Sequence, residues 1–239
     1  MRGWVDSQQP VLASVIALTR ELADPVRLTA LQLLSAEGPH TLTQLADALG
    51  VSAPRLGNHL ARLRSTGLVT VEHTGRHAVY RVASPGLGDV LTALARYARA
   101  DLAVRPGRPP SPGDIAHTCY DHAAGLLGVA VFTTLVDRGA LRPPDGTAGT
   151  LALGDDPSAF AELGVDLASL DTGRRKPATA CLDRVHRLPH LGGALGRSVL
   201  DAFIERGLVR AHDGTRELTV TPKGATELPA LLPTFSPDA

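Results

Sequence analysis

TLTQLADALGVSAPRLGNHLARLR, Thr41 to Arg64, carries two helical periods separated by a short break. In the first, Leu42, Leu45, Ala46 and Leu49 fall on one face; in the second, Leu56, Leu60 and Leu63 do. Thr41 is suited to cap the first helix, Gly50 to close it, and Ser52 to cap the next, which Gly67 stops. Val51 plugs the turn. This is helix-turn-helix spacing, and it leaves Ser52, Ala53, Arg55, Asn58, His59 and Arg62 toward solvent on the second helix. Arginine can fork guanine, asparagine can pair adenine, and a serine hydroxyl suits phosphate.

The flanks agree with that reading. Leu68 to Glu72 and Ala78 to Val82 read as strands around the turn His73–His77, a wing with Arg76 at its tip. Ser52 to Arg81 holds five arginines (55, 62, 64, 76, 81) against one acid, Glu72, so Arg64 and Arg76 join the candidate DNA contacts as phosphate neutralisers. Upstream, Val11–Leu22 and Pro25–Ser35 are helical, the second with Asp24 as N-cap and Pro25 in the first turn. Downstream, Leu87–Leu102 is helical, and Leu87, Val90, Leu91, Leu94 and Tyr97 form an apolar face that needs a partner.

Composition bounds the rest. The chain has 239 residues with 24 basic and 24 acidic side chains, which excludes a globally basic nucleic-acid coat but allows a local patch. Aromatics are only 3%, against an aromatic-rich β-sandwich, and abundant Ala and Leu favour helices. Two cysteines make no disulfide framework. With neither a secretory n-region nor an apolar run of about 18 residues, the expectation is a cytoplasmic protein with no membrane association.

Residues 103–113 are rich in proline and glycine and read as a linker, after which a helix is expected from Asp114 to Arg138. That helix would align Cys119, His122, Leu126 and Val129. Cys181 and His186 would lie on a helix from Pro177 to Arg187, and His190 at the start of the next, from Pro189 to Gly207. Cys119, His122, Leu126, Cys181, His186 and His190 are the candidate effector residues. Three readings stay open for them: satisfied core residues, the lining of a pocket between helices, or ligands to a transition metal. Their spacing matches no closed metal site, so neither metal nor cofactor is assigned. A helix–glycine–strand–turn–strand syntax recurs around Gly67, Gly139 and Gly207, with Thr221–Gly224 starting a new helix after the third. No nucleophile elbow, phosphate loop or dinucleotide motif is present, and no catalysis is expected.

DPVRL, LADALGVS, NHLARLRSTGLV and the wing, in that order, resemble the winged-helix domain of ArsR-type bacterial transcriptional regulators, over about residues 11 to 102. HTCYDHAAGLLGVAVFTTLVDRG, with CLDRVHRLPHLGGALGRSVLDAFIERG, resembles an extension found in a subset of them, often actinobacterial. The resemblance implies a homodimer paired through Val11–Leu22 and Leu87–Leu102, and a palindromic double-stranded DNA operator released when an effector binds. The thiolate site of the family's metal sensors lies on the helix before the turn, here LTQLADALG without cysteine, and their interfacial site needs a histidine that GDVLTALARYARADL lacks. The expectation is an α+β chain, mainly α with small hairpins. Its parts are a DNA-binding and dimerisation domain (1–102), a linker (103–113), a regulatory domain (114–228) and a flexible tail (229–239). It would be a repressor released by a small-molecule effector; a metal-responsive repressor and an effector-independent DNA-binding protein are the alternatives.

Overall fold

The computed structural model describes residues 9–74, 77–104 and 111–237. The N-terminal domain runs α1 (Pro10–Leu22), α2 (Pro25–Glu37), β1 (His40–Thr41), α3 (Leu42–Leu49), α4 (Ala53–Ser65), β2 (Val69–Thr74), β3 (His77–Val82) and α5 (Gly86–Val104). Asp24 caps α2 by accepting from the Arg27 amide at 2.9 Å, and Thr41 with Gln44 closes a reciprocal capping box on α3. Gly50, at φ +66°, supplies the left-handed stop before α4. The wing is a three-stranded antiparallel sheet in the order β1-β3-β2. Its β1 edge was not anticipated: His40 and Thr41 lie opposite Tyr80 and Val79. The β2–β3 ladder extends to Thr74↔His77, beyond the expected strands, while Arg76 lies outside the described residues. Leu31, Leu34, Leu45, Leu56, Leu60 and Leu63 are fully buried and bind the helices into one core.

The second half continues as α6 (Pro112–Ile115), β4 (His117–Cys119), β5 (His122–Ala124), α7 (Gly125–Asp137), α8 (Ser158–Glu162), β6 (Thr179–Leu182), β7 (Pro189–Gly192), α9 (Gly193–Glu205), β8 (Val209–Ala211), β9 (Leu218–Val220) and α10 (Pro222–Leu231). Several expectations change here. The helix from Asp114 to Arg138 is instead a helical turn, a hairpin and a helix starting at Gly125. Gly125 has φ +73°, and a Cβ there would stand 2.8 Å from the Asp114 carbonyl oxygen, so the chain turns sharply where helical periodicity ran straight through. The helix from Pro177 to Arg187 is strand β6 and a loop, and Pro189 opens a strand rather than a helix. The segment expected as a flexible tail carries Leu232 and Phe235, both buried in the C-terminal core with Phe160, Phe203 and Leu135. Of the expected linker, 103–104 belong to α5 and 112–113 to α6, whose Ser111–Asp114 capping box starts the new domain; 105–110 lie outside the described residues.

Helix stops at Gly67, Gly139 and Gly207 are superposable in kind: φ is +71°, +72° and +69°. In each, the next residue's amide returns to a carbonyl five residues back, Leu68 to Leu63, Ala140 to Leu135 and Leu208 to Phe203. The middle copy keeps only one bridge of its hairpin, Leu141↔Leu153. A deeper duplication spans the C-terminal half. Cys-x-Asp…His-x-x-Gly-x-Leu-Gly occurs at 119–128 and again at 181–196, each time as strand, turn, strand, left-handed glycine, helix. The two units interlock through the final glycines. A Cβ on Gly128 would lie 3.3 Å from the His190 Cβ, and one on Gly196 would lie 3.2 Å from the His122 Cβ.

The two domains meet at α2. The amide of Leu182 donates to Glu37 Oε1 at 2.9 Å, and the Leu182 side chain packs on the N-terminal core. Opposite, a Cβ on Gly38 would stand 2.6 Å from the Ala148 carbonyl, so the loop between α7 and α8 lies directly on the end of α2.

Two outcomes follow for stability. Gly196→Ala places a methyl 2.3 Å from the Leu191 carbonyl oxygen as well as against His122; thermal denaturation should show a loss of about 1–3 kcal/mol. Gly57→Ala on α4 meets nothing within 4 Å and should gain about 0.5–1 kcal/mol through helix propensity. Equal effects at both positions would contradict the interlock. Acid stability is the second. The Arg62 hydrogen bond, opposed by burial, holds the Glu21 carboxyl below its ordinary value. A depressed folded-state pKa means the contribution is complete above the ordinary glutamate value and is lost as pH falls through the lowered one. Glu21→Gln should therefore flatten the acid limb of a stability-against-pH curve and leave its neutral-to-alkaline slope alone.

Candidate nucleic-acid interface and buried Cys/His cluster

Helix α4 turns Leu56, Leu60 and Leu63 inward, which sends Arg55, Asn58, Arg62 and Arg64 outward. Ser52 is exposed at the N-cap and makes no side-chain capping bond, contrary to the expected cap, so its hydroxyl is available at the helix start. Ala53 and His59 are half-buried. Two of the candidate contacts are engaged within the chain. Arg62 donates from Nε and Nη2 to Glu21 Oε1 at 2.9 and 2.7 Å, and His59 Nδ1 lies 3.4 Å from Asp24 Oδ1. Glu21 is buried and also faces Arg27 Nε at 3.2 Å. Arg62 thus fastens α4 to α1. Arg55, Asn58 and Arg64 have no side-chain partner among the described residues. On the wing, Arg81 pairs with Glu72 at 2.6 Å.

The C-terminal candidates divide into a cluster and two outliers. Cys119 is cross-strand from His122 in the β4–β5 hairpin, and Cys181 from His190 in β6–β7. Because the duplicated hairpins interlock, the sulfur of each cysteine and a ring nitrogen of each histidine all lie within 4.8 Å of one another. Leu126 packs in the hydrophobic core. His186 donates Nε2–H to the Asp114 carbonyl at 2.8 Å, away from the cluster. Spacings that match no closed site along the sequence thus bring four potential ligands together in space, because the chain forms hairpins where helices were expected.

The two histidines of the cluster are buried and unsatisfied, and the two cysteines are half-buried. His122 is 4% exposed and His190 1%, their ring centroids are 5.2 Å apart, and none of their four ring nitrogens has a hydrogen-bond partner. The Cys181 thiol and then the two imidazoles hold the Cys119 thiol far below the usual thiol range. Cys119 and burial push the Cys181 thiol upward. Asp121 approaches His122 Nδ1 to 3.6 Å and is itself ion-paired to Arg175. Burial raises the Asp121 carboxyl, but Arg175 and His122 outweigh it and leave it below its ordinary value. Asp183, the equivalent residue of the second unit, is buried and accepts from the amides of Gly125, Val185 and His186 at 2.8–2.9 Å. Asp121 and Asp183 were not singled out from sequence; the repeated Cys-x-Asp…His-x-x-Gly-x-Leu-Gly was the signal.

On the far side of the β6–β7 hairpin lies a cleft of about 350 Å³ between the domains, lined by Ser35, Leu91 and Arg96 from one and Phe132, Leu182 and Leu188 from the other.

A solved homodimeric winged helix-turn-helix DNA-binding domain, Mb0332 of Mycobacterium bovis, is 26% identical to this chain. The match covers 45% of this chain and 99% of that one, with a TM-score of 0.38. Residues 24–71 match the family model described as bacterial regulatory protein, arsR family. YdfF of Bacillus subtilis, an HTH-type transcriptional regulator, is 30% identical over 217 residues, 90% of this chain and 94% of its own. The HTH-type transcriptional repressor SmtB of Mycobacterium tuberculosis is 35% identical over 91 residues, 38% of this chain and 67% of its own. The family model and the near full-length match to YdfF agree with the helix-turn-helix geometry, and the chain belongs to the ArsR family of DNA-binding bacterial transcriptional regulators.

Proposed function

We propose that the chain is a homodimeric repressor that holds a palindromic operator and leaves it when an effector binds in the C-terminal domain. The observation that carries the DNA half of this reading is α4: an N-terminal end offering Ser52, Arg55 and Asn58, with Arg64 further along and Arg62 fixing the helix to α1. Arg55 and Asn58 have the chemistry to read guanine and adenine edges, and Arg64 to neutralise phosphate.

The dimer half rests on apolar side chains that the chain itself leaves uncovered. Leu87 and Leu91 of α5 turn into the N-terminal core, while Val90, Leu94 and Tyr97 point outward, Tyr97 at 76% exposed. Val11 and Val15 of α1 are exposed as well. A two-fold axis through α1 and α5 would bury these residues, and a palindromic operator would then require the two copies of α4 to lie about one helical turn of DNA apart, roughly 34 Å. The effector half is supported by the Cys/His cluster and the cleft, both of which share the β6–β7 hairpin that contacts α2.

Two expected outcomes test this reading. On an operator selected from random duplex DNA, Arg55→Ala should weaken binding by about 1–3 kcal/mol and relax preference at one base position per half-site. Arg64→Ala should weaken all sequences alike and lower the salt slope by about one unit. Unchanged operator affinity in both variants would refute the docking. In sedimentation at micromolar concentration, the wild-type chain should be a dimer and Leu94→Glu a folded monomer with much reduced operator affinity. A wild-type monomer that binds the palindrome tightly would refute the assembly.

A further inference from the structure

We propose that Cys119, His122, Cys181 and His190 form a four-coordinate site for a borderline-soft transition-metal cation of the zinc(II) class. The inference rests on the proposed function in one respect, since it names the chemistry of the effector.

Three observations point to it. The donor set is two sulfurs and two imidazole nitrogens from four separate strand positions, already gathered within 4.8 Å. Zinc–sulfur bonds of about 2.3 Å and zinc–nitrogen bonds of about 2.0–2.1 Å place tetrahedral donors roughly 3.3–3.8 Å apart. The remaining closure is on the scale of side-chain torsions. Next, two buried histidines leave four ring nitrogens without partners, a costly arrangement in a protein interior, and coordination would satisfy one nitrogen of each ring. Last, the surroundings are built for ligands. Gly192 keeps clear the space between His122 and Cys181, where a Cβ would lie 3.1 Å from the His122 Cε1 and 3.2 Å from the Cys181 sulfur. Asp121, held by Arg175, stands 3.6 Å from His122 Nδ1, the position of a carboxylate that orients a ligating imidazole and leaves Nε2 for the metal.

The duplication explains the symmetry of the donor set. Each unit contributes one cysteine and one histidine from the two strands of its hairpin, so the metal would sit between the units and join them. Strand alternation sends the neighbours of the second pair, Leu182 and Pro189, to the opposite face, where both line the interdomain cleft and Leu182 meets α2.

The test uses the full-length chain, reduced and stripped of metal by chelation. Titration with zinc(II) alone should give one bound ion per chain. Cobalt(II) in its place should give thiolate-to-metal charge transfer and the visible bands of a tetrahedral site. Cys119→Ser with Cys181→Ser, a conservative change at two half-buried positions, should abolish both signals with the helical circular dichroism retained. Asp121→Asn should weaken zinc(II) affinity by about 10–100-fold while keeping the stoichiometry. A folded wild-type chain that takes up no zinc(II) and gives no cobalt–thiolate band overturns the site. So does recovery of a Cys119–Cys181 disulfide with no metal uptake after reduction. Operator affinity measured with and without zinc(II) separates the two proposals. Uptake with a tenfold or larger change in affinity supports both, whereas stoichiometric uptake with unchanged affinity upholds the site and overturns its role as the effector site.

Discussion

The C-terminal half depends on a reciprocal close approach at Gly128 and Gly196. Each glycine lies in the first turn of a helix, against its own hairpin's carbonyl, and each admits the β-carbon of the other unit's histidine. Any side chain at either position would push the two hairpins apart by roughly the width of a methyl group. Without that approach the His122 and His190 rings would not meet at 5.2 Å, and the two cysteines would remain on separate hairpins. Two left-handed glycines, Gly125 and Gly193, complete the device by turning each hairpin abruptly into its helix.

The N-terminal half has a different keystone, the buried carboxylate of Glu21. Removing a carboxylate from water is costly unless it is paired, and here Arg62 and Arg27 pair it from α4 and α2. The consequence is mechanical. Helix α1, whose exposed valines belong to the proposed dimer surface, is tied by a two-pronged ion pair to the helix that would read DNA. In the proposed dimer, a change in how two copies pack through α1 would therefore reach α4 without crossing the hydrophobic core. Arg62 looks in sequence like a base or phosphate contact; in the structure its guanidinium, still 60% exposed, also ties α4 to the buried Glu21.

The N-terminal fold was legible because its signals are local. Thr41, Gly50, Asp24 and Pro25 each act within one helical turn, and their caps and stops occur where the residues imply. The C-terminal half misled for the complementary reason. Cys119, His122, Leu126 and Val129 mimic a helical period, but the deciding contacts are non-local: Gly125 against Asp114, and Gly128 against His190. Periodicity weighs neighbours along the chain and is blind to a carbonyl that arrives from another segment. The cluster was hidden in the same way. Cys119 to His122 and Cys181 to His190 have unequal spacings because a two-residue turn joins the first pair directly, whereas a further ladder pair, Leu182 and Pro189, and a six-residue turn lie beyond the second; cross-strand pairing makes them equivalent. The missed β1 edge has a similar origin, since two residues carry no period and gain their structure from Tyr80 and Val79.

Regulation, in the proposed reading, has to pass through β6, and the magnitudes allow it. A tenfold to hundredfold change in operator affinity requires roughly 1.4–2.8 kcal/mol of coupling, supplied only by contacts that differ between the two states. At the β6–α2 junction the available terms are the Leu182 amide bond to the Glu37 carboxylate and the partial burial of the Leu182 side chain. A hydrogen bond to a charged group contributes about 1.5–3 kcal/mol, and full burial of a leucine about the same. A shift of β6 that weakens either contact is therefore large enough, with no need for the domains to separate. Cys181 is the residue before Leu182 and faces the other way, so whatever draws its sulfur toward His190 and the first hairpin acts on Leu182 through a single peptide unit. That short path gives the buried cluster leverage over α2, and α2 is packed against both α3 and α4 of the helix-turn-helix.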